Sequence, residues 1–149
     1  MELANEIFKL VAVGIVSGLF SAYLANRKHR SQKWWELKVS SYQQLIEALS
    51  DLIYYFDTNY IAETEQREYS EEFKNKLSKF WDEGYHKVRK YSDSGAFVFS
   101  KEVNDALLEF TKTNSERPDT YFEYLDNNLF IAKKCLKTIT TAAKKDLKI

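Results

Sequence analysis

One cysteine, one proline and four glycines are all that this 149-residue chain holds of the residues that staple, kink or loosen a backbone. The lone Cys135 excludes an internal disulfide and suits a reducing compartment. With only His29 and His86 beside it, no spacing fits a zinc site, so neither a metal nor another cofactor is expected. The near absence of Gly and Pro removes the usual punctuation of short strands, and no alternating run of strand length occurs. Also missing are a Gly-rich phosphate loop, a nucleophile elbow and a His-carboxylate-His spacing, so no catalytic residue is assigned and an enzyme is not expected.

What is present is a chain 44% hydrophobic and 15% aromatic, which excludes disorder and leaves room for one compact domain. Residues 10–25 (LVAVGIVSGLFSAYLA) are uncharged and mostly apolar. Extended back to Ile7, with Lys9 snorkelling, they give roughly 28 Å of helix. A bilayer core is about 30 Å thick, so a transmembrane helix is expected over residues 7–25. Arg27, Lys28, Arg30 and Lys33 follow this stretch, whereas only Lys9 lies at its front. The positive-inside rule then predicts a single-pass protein of the plasma (inner) membrane, with residues 1–6 outside and the C-terminal domain cytoplasmic. Gly14, Ser17, Gly18, Ser21, Ala22 and Ala25 make a small-residue stripe that suits close helix pairing, hence a homo-oligomer or pore.

Beyond a basic juxtamembrane stalk at 26–40, residues 41–149 carry helical periodicity. Tyr42, Leu45, Ile46, Leu49, Leu52, Ile53 and Phe56 form the first apolar stripe, and the acidic stretch 63–72 reads as a turn. Ser70 is the expected N-cap of a second helix with Phe73, Leu77, Phe80, Trp81, Gly84, Val88 and Tyr91 inward. The run 92–95 (SDSG) breaks it, and Ser100 caps a third helix to about Lys112 with Val103, Leu107 and Phe110 inside. Pro118 favours the start of a last helix built on Tyr121, Leu125, Ile131 or Ala132, Cys135, Leu136 and Ile139. The expected fold is all-α: the N-terminal transmembrane helix, then an up-down bundle of about four helices.

Charge is segregated although the formal net charge is zero. Residues 26–38 carry five bases against Glu36, while 57–72 carry six acids against Arg67. The second helix ends in His86, Lys87, Arg89 and Lys90, and the fourth in Lys133, Lys134, Lys137, Lys144, Lys145 and Lys148. In an up-down bundle these basic segments gather at one end, as a collar. Docking on anionic lipid would account for such a collar. The sharper reading is a polyanion site of Arg27, Lys28, Arg30, Lys33, Trp34, Trp35, Lys87, Arg89 and Lys90, since indoles stack on bases while cations meet phosphates.

An apolar span with Gly and Ser, the basic RKHRSQKWW at 27–35 and the helical SYQQLIEALSDL at 41–52 together resemble small membrane effectors encoded beside bacterial defence enzymes. In size and plan the chain is most similar to the channel effector of Hailong-type anti-phage systems. The resemblance covers most of the chain as architecture, without a diagnostic motif. It implies an oligomeric channel held shut by a short single-stranded DNA, made by a partner nucleotidyltransferase, with the collar holding the DNA. The expected function is therefore an oligomeric membrane channel whose helical domain senses an anionic ligand. The alternative is a membrane-anchored helical scaffold that binds a protein partner.

Overall fold

A computed structural model describes the backbone of residues 2–148, with side chains described at 18, 19 and 21–148. The described residues form four α-helices and one 3₁₀ turn, with no strand among them. Helix α1 spans Glu2–Glu65, α2 Glu71–Ser94, α3 Lys101–Ser115 and α4 Tyr121–Leu147, and the 3₁₀ turn covers Gly95–Phe97. By contacts the chain divides into Met1–Leu37 and Lys38–Ile149.

The expected transmembrane helix is corrected. Among the described residues no helix is long and apolar enough to cross a membrane. The side chains of 7–17 and of Phe20 lie outside the described residues, so of the expected span only Gly18, Leu19 and residues 21–25 are described. Nor is 7–25 a separate element, because α1 runs on without a break through Arg27, Lys28, Arg30 and Lys33. The single-pass localisation, with its outer N-terminus and cytoplasmic domain, falls with the span.

The second unit is an up-down-up-down bundle, and its cross-helix contacts fix the order. From Lys38, α1 descends to Glu65; α2 returns, with Tyr54 against Phe80 and Tyr91 donating to Gln44 at 3.2 Å. Helix α3 descends again and α4 climbs back, placing Phe122 beside Tyr60 at the lower end. At the upper end Tyr42 donates to Asp146 at 2.6 Å. Tyr42, Leu45, Leu49, Leu52 and Phe56 recur at three or four residues along α1, so one face points inward. They meet Val88, Val103, Leu107, Phe110, Leu125, Ala132, Cys135 and Ile139 in one core. Ile46 and Ile53 sit at its margin. Phe80 and Tyr121, expected inside, are exposed: Phe80 lies at the edge of the apolar face of α2, and Tyr121 is the first residue of α4.

The caps explain where the helices begin. The Ser70 and Thr120 hydroxyls accept from the N–H groups of Phe73 and Glu123, so α2 starts as expected and α4 starts three residues beyond Pro118. Ser100 holds the N-cap position of α3, but its hydroxyl makes no capping bond. Gly84 marks the closest approach of α2 to α1. A Cβ there would stand 2.9 Å from the Ala48 carbonyl oxygen and 3.0 Å from Leu52 Cγ. Gly84→Ala should therefore destabilise the bundle by about 1–2 kcal/mol, since overpacking against a fixed carbonyl outweighs alanine's gain in helix propensity. Urea unfolding checks this, and a stabilised variant would show that the two helices separate freely.

Candidate polyanion-binding surface

Every described side chain from Ser21 to Leu37 is exposed, so this stretch of α1 buries no face. Leu24, Arg27, Lys28, Ser31, Gln32 and Trp35 line one shallow groove along it. Their spacing of three and four residues explains the grouping, because such positions stack on one side of a helix. The groove thus joins two cations, two uncharged polar groups, an aliphatic side chain and an indole 51% exposed. Glu36 accepts from Gln32 at 3.1 Å and stands at the groove's edge. At 100° per residue Arg30 lies to one side, and Lys33, two positions before Trp35, faces the opposite side. Trp34, 40% exposed, is turned away from Trp35 by one step of the helix. The expected set 27–35 is therefore split: Arg27, Lys28 and Trp35 share a face that Lys33 does not.

In the bundle, the end at which α1 enters at Lys38 also receives the C-termini of α2 and α4. His86, Arg89, Lys90, Asp93 and Ser94 line a second shallow depression there. Lys87 does not line that depression; its charge offsets part of the rise that burial imposes on the Asp51 carboxyl. Lys133 and Lys134 also leave the expected collar, because they pair across helices with Asp57 at 3.7 Å and Glu109 at 2.6 Å. Sequence reasoning had counted them by position in α4, and position alone does not say which neighbour a lysine meets.

The distribution of ion pairs separates the two kinds of base. Arg67, Lys74, Lys76, Lys133 and Lys134 each hold a carboxylate. Among the described residues, Arg27, Lys28, Arg30, Lys33, Arg89 and Lys90 hold none. Cations without a carboxylate partner keep their full field and attract a polyanion, to a degree that salt controls.

Gly14 and Ser17 lie outside the residues whose side chains are described. Gly18, Ser21, Ala22 and Ala25 are exposed, and a Cβ built on Gly18 would meet nothing within 4 Å. Cys135 is buried, its thiol pushed up to about 12 by desolvation and, less, by the Glu109 charge. A thiol held neutral in the core, 3.5 Å from the Ala106 carbonyl, is a packing group. Buried Asn128 is fully engaged with its neighbours: it accepts from Asn114 at 2.9 Å and donates to the Tyr124 carbonyl at 2.8 Å. Among the described residues no group of three His, Cys, Asp or Glu could hold a metal ion. No protein-family model, curated protein or solved structure matches the chain.

Proposed function

We propose that the protein is a helical binding module for a short, flexible polyanion, of the kind a single-stranded nucleic acid presents. The carrying observation is the groove of Leu24, Arg27, Lys28, Ser31, Gln32 and Trp35, whose two cations have no carboxylate partner among the described residues. An indole beside unpaired cations can stack on a base while the cations meet the flanking phosphates. Arg89 and Lys90 offer a second unpaired basic surface on the bundle itself. A signalling role in bacterial anti-phage defence accords with the ligand that the resemblance to Hailong-type effectors implies. The exposed edge pair Tyr54–Phe80, with ring centroids 5.2 Å apart, supports a second reading, a helical scaffold that docks a protein partner.

Trp35→Ala tests the first reading. It should weaken binding of a labelled oligonucleotide by about 1–3 kcal/mol while leaving the salt dependence unchanged, because stacking is lost and charge is not. Fluorescence anisotropy at several salt concentrations measures both quantities. Unaltered affinity would remove Trp35 from the site.

A further inference from the structure

A cleft of about 460 Å³ opens between α2 and α3 of the bundle, a size that suits a small molecule. Tyr85, Arg89 and Asp93 line it from α2, and Leu108 and Lys112 from α3. Each set recurs at four residues, so each lies on one side of its own helix. The cleft shares Arg89 with the neighbouring basic depression and no residue with the groove on α1. Tyr85 is half-buried, and its ring stacks on Trp81 with centroids 5.0 Å apart, which makes it a fixed wall. Leu108, 57% exposed, adds an apolar contact from the other helix.

The charges of the cleft are not spent within the protein. Neither Arg89 nor Lys112 has an ion-pair partner among the described residues. The acid one turn before Lys112, Glu109, is held by Lys134 at 2.6 Å. Lys112 is explained by the dipole of α3, whose last turn it occupies, but Arg89 lies before the last turn of α2 and is not. Asp93 lies one turn beyond Arg89 in the same cleft, yet the two form no ion pair. The Thr111 and Ser115 hydroxyls, also at the cleft, donate to the carbonyls of Leu107 at 3.0 Å and Lys112 at 2.7 Å. They are left to accept, as Asp93 is. Two cations thus await an anionic group, acceptors await hydroxyl donors, and apolar walls await a ring. An acid beside the cations is out of place for a bare phosphate chain, whereas a ligand with one phosphate and several hydroxyls uses it.

We infer that the α2–α3 cleft binds a small phosphate monoester that carries a ring and hydroxyl groups, as a nucleoside monophosphate does. The phosphate meets Arg89 and Lys112, sugar hydroxyls donate to Asp93, and the base lies against Tyr85 and Leu108. The inference requires nothing of Trp35 or the α1 groove, so it stands apart from the function proposed above.

Isothermal titration calorimetry of the 149-residue chain with AMP and UMP tests it, beside adenosine, uridine and inorganic phosphate. Saturable binding of a nucleotide is expected, with its nucleoside and phosphate each weaker by about tenfold or more, since each lacks part of the contacts. Arg89→Gln and Lys112→Gln should each weaken nucleotide binding by about tenfold, through loss of a charge-assisted hydrogen bond. Leu108→Ala should weaken the nucleotide and leave phosphate as it was. Lys101→Gln, at the start of α3 and outside the cleft, should change neither. Arg89, Lys101, Leu108 and Lys112 are all exposed, so circular dichroism should show each variant as helical as the unaltered chain. Absence of saturable nucleotide binding overturns the inference, as do equal affinities for nucleotide and phosphate or equal losses from Lys101→Gln and Lys112→Gln. Nucleotide binding should survive Arg27→Gln with Lys28→Gln, which separates this cleft from the α1 site; its loss there would also overturn the inference.

Discussion

Arg27→Gln combined with Lys28→Gln should lower the affinity for a short single strand by roughly tenfold at low salt and reduce its salt slope by about 1.4. The slope follows from about 0.7 per neutralised phosphate on single strands, taken over two contacts. Both side chains line the groove that Trp35 shares, and neither holds a carboxylate among the described residues. The matching control is Lys33→Gln, on the opposite side of the same helix. It removes the same kind of charge a few residues away, so it should change the affinity much less. Equal losses from Lys33 and from Arg27 would mean that the ligand senses only the overall charge of the segment. Binding isotherms at three or more salt concentrations, for each variant, supply the comparison.

Phe110→Ala should cost the bundle about 3–5 kcal/mol, the usual range for emptying an aromatic site in a closed core. Phe110 is fully buried on α3, whose inward face it shares with Val103 and Leu107 against α4. Loss of the ring leaves a cavity that the helices cannot close, because Leu107 and Leu125 are themselves fully buried in the same cluster. Against a typical total stability of about 5–15 kcal/mol, that loss is a third or more of what holds such a domain together. Urea denaturation should therefore show a much lower midpoint with a similar slope. A loss below about 1 kcal/mol would mean that the core collapses around the gap.

The helical pattern was legible because it depends on spacing alone. Leu45, Leu49, Leu52 and Phe56, and likewise Val103, Leu107 and Phe110, recur at three and four residues and are buried as that period requires. Ser70 could be read as a cap because its hydroxyl reaches an N–H only three residues away, a purely local bond. Phe80 and Tyr121 were misplaced because their burial is decided by neighbouring helices, which the period of one helix does not contain. The end of the first helix was legible too: the stretch 63–72 reads as a turn and α1 ends at Glu65, and since nothing in residues 25–41 is a helix breaker it runs there from Glu2 without a break.

The candidate site shows the same division between local and long-range information. That the segment 27–35 is basic and aromatic is plain from its letters. Which of these side chains share a face follows from helical arithmetic, which puts Trp35 with Arg27 and Lys28 and turns Lys33 away. Which bases are already neutralised depends on partners distant in sequence. Lys133 finds Asp57 and Lys134 finds Glu109, and no run of lysines announces that. Tyr42 and Asp146 are a further case. Burial and the Asp146 carboxylate together push the tyrosine hydroxyl far above its ordinary range, fixing it as a donor that ties the end of α4 to α1.

Titration of the unaltered chain with a labelled single-stranded oligonucleotide, repeated from low to moderate salt, bears most directly on the polyanion reading. Saturable binding is expected, with affinity falling linearly in log salt and with competition from unlabelled single strands. Absence of saturable binding at low salt would contradict the account and leave the unpaired cations of α1 without the ligand proposed for them.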